Sequence, residues 1–149
     1  YRKSHFKGVV NVVNRFLEIL KPKYILLGKK DFQQLFLIKK HIKKNKIDTQ
    51  VIECNTVREK NGIACSSRNY NLNKREMSNY AKIIKIFKKN KKLMDKKKNL
   101  EEIKKFDINK IDYIEFLDLK TLRKPKNKKC KFNIFLAFYL GKTRLIDNF

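Results

Sequence analysis

The sequence predicts an α/β fold, a parallel-sheet unit followed by a small α+β unit. Three observations predict it. Helix-like and strand-like patterns alternate over residues 5 to 54, the signature of a parallel sheet with crossover helices. The first strand-like run, YILLG at 24–28, is continuously apolar, as suits a strand buried on both faces. After Asn69 the pattern changes to one long helix and then strands, the order of an α+β unit.

The elements follow in chain order. Over residues 5–20, Val9, Val12, Val13, Phe16, Leu17 and Leu20 recur at helical spacing, and Pro22 lies just beyond as a stop. The run YILLG closes on Gly28, and KDFQQLFLIKKHIKK at 30–44 returns to helix with Phe32, Leu35, Phe36, Ile38 and Ile42 as its apolar set. TQVIEC at 49–54 reads as the second strand. Residues 73–94 form a long helix with Tyr80, Ile83, Ile84 and Phe87 on one face, and KKNKKLMDKKKN at 88–99 reads as its solvated end and the loop beyond. LEEIKKF at 100–106 fits one short helix. Strands are expected at 111–119, 132–139 and, after a turn at Gly141, 144–148, with a polar stretch containing Pro125 between the first two. The domain boundary is expected at 69/70, with a hinge near 68–74.

Composition narrows the function classes. Lys and Arg number 39 against 14 Asp and Glu, a formal charge of +25 in 149 residues. That excess alone fits a polyanion partner, and a basic nucleic-acid-binding module is one reading. The excess is mostly lysine, is spread along the chain and comes with abundant Asn and Ile, which A/T-rich codons also produce. A dedicated nucleic-acid surface adds arginine and exposed aromatics. Cys54, Cys65 and Cys130 form no CxxC pair, and His5 and His41 have no metal-ligand spacing, so no metal site is predicted and a reduced, cytoplasmic setting is expected. The apolar run 132–141 is about half of a membrane-spanning helix, so no membrane partner is expected, and no signal-peptide pattern opens the chain.

Two turns carry the chemistry. Gly28, Lys29, Lys30 and Asp31 sit where a strand meets a helix, the position at which open α/β sheets bind ligands. Glycine admits a close ligand, lysine is a mobile charge for phosphate, and Asp31 suits a helix cap or a sugar hydroxyl. Gln34 lies one turn beyond Lys30, on the same helix face. A plain turn with solvated lysines fits this spacing as well. The second element, NTVREKNGIACSSRN after the second strand, offers the Ser66 and Ser67 hydroxyls and the Arg68 fork to phosphate oxygens. An N-cap for the following helix accounts for the serines almost equally well.

HFKGVVNVVNRFL, LLGKKDFQQL, TVREKNGIACSSRNYNL and LGKTRLIDN, in this order and spacing, resemble the pantothenate synthetase (pantoate–β-alanine ligase) family, from Arg2 to the C-terminus. The resemblance implies part of a Rossmann-like nucleotidyltransferase domain over 1–69 and a small α+β lid over 70–149. It implies a ligase that couples pantoate to β-alanine through pantoyl adenylate, consuming ATP with Mg2+ and releasing AMP and pyrophosphate, and working as a homodimer without a specific nucleic-acid partner. It places Gly28, Lys29, Lys30, Asp31, Val57, Cys65, Ser66, Ser67 and Arg68 at ATP, with Lys30 and Arg68 catalytic, and Gln34, Arg2 and His5 at pantoate. Ser66–Arg68 is similar to the phosphate-binding signature loop of class I aminoacyl-tRNA synthetases.

Several departures qualify this likeness. Lys29 stands where the family commonly has Glu, Lys3 replaces a proline, Cys65 replaces Met or Leu, and the lid is short between 95 and 110. The likeness is to the C-terminal part of the family only. The family's His-x-Gly-His segment has no match among these residues, so either a partial ligase or an inactive remnant of one is implied.

Overall fold

The computed structural model describes residues 3–106, 108–126 and 130–149. The chain divides into two compact units, Tyr1–Thr56 and Val57–Phe149. The segment 57–69 therefore packs with the second unit, so the division falls earlier than the boundary expected at 69/70.

The first unit is built as α1 (Lys3–Leu20), β1 (Tyr24–Gly28), a 3-10 turn (Lys29–Asp31), α2 (Phe32–Lys44) and β2 (Gln50–Cys54). β1 and β2 pair in parallel, from Tyr24 opposite Gln50 to Gly28 opposite Cys54. One face of this strand pair carries Ile25, Leu27 and Val51 against Leu17 of α1 and Ile38 and Ile42 of α2. The other face presents Tyr24, Leu26 and Ile52 to solvent, with Leu26 65% exposed. On α1, Val12, Phe16 and Leu20 are exposed although they belong to the helical apolar stripe. Leu17 takes the buried position, because α2 covers only part of a broad apolar face.

The second unit contains a 3-10 turn (Ser67–Asn71), α3 (Lys74–Asn90), another 3-10 turn (Lys91–Leu93), α4 (Lys96–Ile103), β3 (Ile108–Asp118), β4 (Phe132–Leu140) and β5 (Thr143–Asn148). The three strands form an antiparallel sheet in the order β3-β4-β5. Its buried face meets Tyr80, Ile83, Ile84 and Phe87 of α3, the face that the periodicity marks. Each such side chain contributes roughly 2 kcal/mol on leaving water.

A reciprocal capping box starts α3. Asn73 Oδ1 accepts from Glu76 N at 2.9 Å, and Asn73 N donates to Glu76 Oε2 at 2.8 Å. Glu76 also lies against the β4–β5 turn. Gly141 has φ +53, and a Cβ there would collide with the Glu76 carboxylate. Both the conformation and the space select glycine.

The basic stretch 88–99 is more than a solvated end. Met94 enters the left-handed region at φ 52 and stops the helical path. Asp95 then caps α4 by accepting from Lys98 N at 3.0 Å, so α4 begins earlier than the expected position 100. Asn90 and Asn99 are buried together, with Asn90 Nδ2 donating to Asn99 Oδ1 at 3.3 Å and to Glu102 Oε1 at 3.1 Å. Asn99 Nδ2 in turn donates to Asp95 O at 2.7 Å. Apolar periodicity does not register polar residues buried in mutual hydrogen bonds. Lys91 donates to Asn133 Oδ1 at 3.1 Å, and its partial burial lowers its pKa.

Candidate functional site

The turn after β1 is simple. Gly28 has φ −72, open to any residue, and a Cβ placed on it would meet no atom within 4 Å. Neither the backbone conformation nor the space around it requires glycine here. Lys29 and Lys30 are half-buried in the 3-10 turn. Lys29 Nζ donates to Asn55 Oδ1 at 2.9 Å, beyond the end of β2. Asp31 occupies the N-cap position of α2 but makes no side-chain cap hydrogen bond. The expected capping role is thus not taken, and its carboxylate stays exposed. Gln34 is half-buried in the first turn of α2, and His5 is exposed on α1 with its ring centroid 5.5 Å from that of Phe6. Arg2 lies outside the described residues.

The segment after β2 is a built loop in the second unit. Arg58 and Ala64 form an antiparallel bridge, Cys65 N donates to Val57 O at 3.0 Å, and Glu59 N donates to Ile63 O at 2.8 Å. The tip turns at Gly62, with φ +89. Ile63 and Ala64 are fully buried, and Ile63 belongs to the core under α3. Past this small hairpin, Asn69 is buried and ties the following turn back. Its Nδ2 donates to Ala64 O and to Glu59 Oε1, both at 3.1 Å.

Between those two anchors the chain displays Cys65, Ser67 and Arg68 on the surface, with Ser66 half-buried. Ser66 Oγ accepts from Arg68 N at 3.3 Å, which caps only the short 3-10 turn. α3 has its own cap at Asn73. The capping reading thus holds for Ser66, but for the 3-10 turn Ser67–Asn71 rather than for the long helix α3. Val57 is 72% exposed, and its carbonyl is already engaged by Cys65.

Arg58 is the residue that sequence reasoning missed. Its Nη1 and Nη2 donate to Asp147 Oδ2 and Oδ1, each at 2.8 Å, in a bidentate pair spanning 89 positions. Nη1 also donates to Gly62 O at 3.0 Å, and Nη2 to Asn148 O at 3.1 Å. The guanidinium lies 4.9 Å from the Phe149 ring centroid. The Asp147 side chain has 0% exposure and that of Arg58 21%. The Asp147 hydrogen bond raises the Arg58 pKa against the opposing effect of burial. Burial raises the pKa of the neighbouring Tyr80 phenol, and the Asp147 charge adds to that rise. One sequence signal was available. Leu145 and Asp147 share the inward side of β5, and a carboxylate on a core face requires a partner.

Among the described residues, no three His, Cys, Asp or Glu side chains gather where they could hold a metal. Among the described residues, no helix is long and apolar enough to cross a membrane.

A parallel strand pair ending in a turn of two lysines, and a separate unit with an antiparallel sheet whose 57–71 segment displays Ser67 and Arg68, define an α/β protein. A family model described as pantoate-beta-alanine ligase matches residues 1–149. The chain belongs to that family. The pantothenate synthetase of Clostridium botulinum is 38% identical over 157 residues, covering 99% of this chain and 56% of the relative. The crystal structure of the Francisella tularensis pantoate-beta-alanine ligase, complexed with beta-gamma ATP and beta-alanine, is 38% identical with a TM-score of 0.80, covering 99% of this chain and 51% of that one. The pantothenate synthetase of Thermus thermophilus, 24% identical with a TM-score of 0.85 and the same 99% coverage of this chain, shares the fold. The chain spans about half the length of the relatives it matches.

Proposed function

We propose that these residues are part of an ATP-dependent ligase that condenses pantoate with β-alanine. The observation that carries this is the family match along the whole chain, through both the Gly28–Gln34 and the Cys65–Arg68 segments. The Francisella relative, bound to a nucleotide and β-alanine, supports the substrate classes.

In this reading the pantoate carboxylate attacks the α-phosphorus of ATP. A P–O bond forms, the bond to the bridging oxygen breaks, and pyrophosphate leaves. The neutral amine of β-alanine then attacks the acyl carbon of pantoyl adenylate. A C–N bond forms, the bond to AMP breaks, and the amine gives up a proton. No side chain acts as a nucleophile. The chain's task is to position the reactants and neutralise charge. Two unit charges about 4 Å apart repel by ~4 kcal/mol at an effective dielectric of about 20, so a carboxylate approaching a triphosphate requires cations.

We assign that work to Lys30 and Arg68, which also stabilise charge growing on the departing pyrophosphate. Gly28, Lys29 and Asp31 are assigned to the nucleotide, with Val57 at the adenine and Cys65, Ser66 and Ser67 at the phosphates. Gln34 is assigned to pantoate, and Arg2 and His5 to its surroundings. Magnesium bound with ATP would add positive charge at the phosphates. A homodimer in the cytoplasm completes the reading.

Because the chain spans about half of its relatives, the whole reaction is assigned to a complete ligase. Isotope exchange between ATP and pyrophosphate that depends on pantoate, measured on a complete ligase carrying these residues, tests the first step. Exchange that proceeds equally without pantoate overturns the acyl-adenylate reading. Robust pantothenate formation by the 149 residues alone overturns the view that they are only part of the machinery.

A further inference from the structure

The geometry points to Arg58 and Asp147 as positioning residues that hold the loop carrying Ser66–Arg68 in one conformation before ATP arrives. The inference rests on the nucleotide reading of that loop. The hairpin 57–65 has a two-stranded core of only one bridge, too little to be stable alone. Besides the burial of Ile63 in the core, the Arg58 fork on Asp147 ties the hairpin to the sheet, with further bonds to Gly62 O and Asn148 O. Asp147 is held in turn, because its Oδ1 accepts from Asn148 N at 2.7 Å. The guanidinium therefore links three points, the hairpin tip, the β5 carboxylate and the β5 backbone. From the other side, Asn69 bonds Glu59 and Ala64 of the same hairpin. Residues 65–68, exposed except for the half-buried Ser66, lie between these fixed points, and they are the groups assigned to phosphate.

A buried ion pair could instead serve stability alone, and two variants separate the roles. Asp147→Asn removes the charge and keeps the shape. The double variant Arg58→Met with Asp147→Leu replaces the pair by apolar packing, which commonly restores stability but not the tether to Gly62 O and Asn148 O. Hydrogen exchange of the 149-residue chain is followed in peptides covering 57–71 and, as an internal standard, α3, well below the melting temperature. ATP affinity with magnesium is measured by calorimetry on a complete ligase carrying these residues. In the double variant the loop amides should exchange faster while α3 stays protected; in Asp147→Asn, which also lowers the stability of the second unit, loop exchange should rise by more than that of α3. ATP should bind about tenfold more weakly, as expected if the competent loop is populated about a tenth of the time. Unchanged loop exchange in the double variant overturns the inference, as does loop exchange that rises only in step with that of α3. If Asp147→Asn does not fold, the double variant carries the test. If that unaltered complete ligase binds no ATP, the nucleotide reading of the loop fails, and the exchange result still decides whether the pair holds the loop.

Discussion

The turn after β1 and the loop after β2 both present cations, but they are built on different terms. Lys29–Asp31 is three residues of 3-10 helix whose Gly28 and Asp31 positions make no side-chain cap. Its placement comes from the strand before it and the helix after it. The 57–71 segment has neither support directly. It makes its own hairpin, buries Ile63 and Ala64, and reaches Asp147 at the far end of the chain. A short connection between regular elements inherits its geometry. A long one must bind itself to something, and here the C-terminal strand supplies the anchor. Residues remote in sequence can therefore govern the second segment, whereas the first depends on its local elements.

The largest effect expected from breaking this contrast is on stability. Asp147→Asn leaves Arg58 without its carboxylate in a largely buried place, and should cost about 3 kcal/mol. Chemical denaturation should show that loss in the second unit, while amides of β1 and β2 keep their protection. Next is Lys30→Ala, which should lower turnover of a complete ligase by ~10²-fold with an unchanged melting curve. Near-normal turnover would remove Lys30 from the proposed machinery.

The two glycines sharpen the contrast further. Gly62→Ala forces an L-residue to φ +89 with Lys88 Nζ 3.3 Å from the new Cβ. The lysine end moves aside, so the backbone term dominates, about 1–2 kcal/mol. Gly28→Ala has ordinary φ and open space, and should change stability by less than about 0.5 kcal/mol. Weaker ATP binding by that variant would then report a ligand against Gly28, and unchanged binding would place the nucleotide elsewhere. The smallest effect is that of Ser66→Ala, which loses one cap bond to Arg68 N, about 0.5 kcal/mol. A much larger loss in turnover than in stability would separate its proposed phosphate role from its capping role.

Much of the fold was legible. The apolar faces of α2 and α3 and the runs that became β1, β2 and β4 are local patterns, and the structure buries Leu35, Ile38, Ile42, Tyr80, Ile83, Ile84 and Phe87 as the spacing implies. The early start of α4 was hidden, because Asp95, Asn90 and Asn99 read as polar loop until their hydrogen bonds are seen. Arg58 and Asp147 were visible as letters within the segments that carry the family likeness. Their pairing was not, although a carboxylate two residues after Leu145 on the inward side of a strand hinted at a buried cation.

By itself the sequence determined the order of elements, the position of the two cationic segments at strand ends and the family to which the chain belongs. Each of these is encoded in neighbours a few residues apart, where helical and strand periods act. The tertiary structure decided that the 57–69 segment packs with the second unit, that Gly28 is not required by its backbone, and that β5 braces the loop through Arg58. These outcomes depend on which distant groups meet in three dimensions. A buried charge is tolerable only where such a meeting supplies its partner.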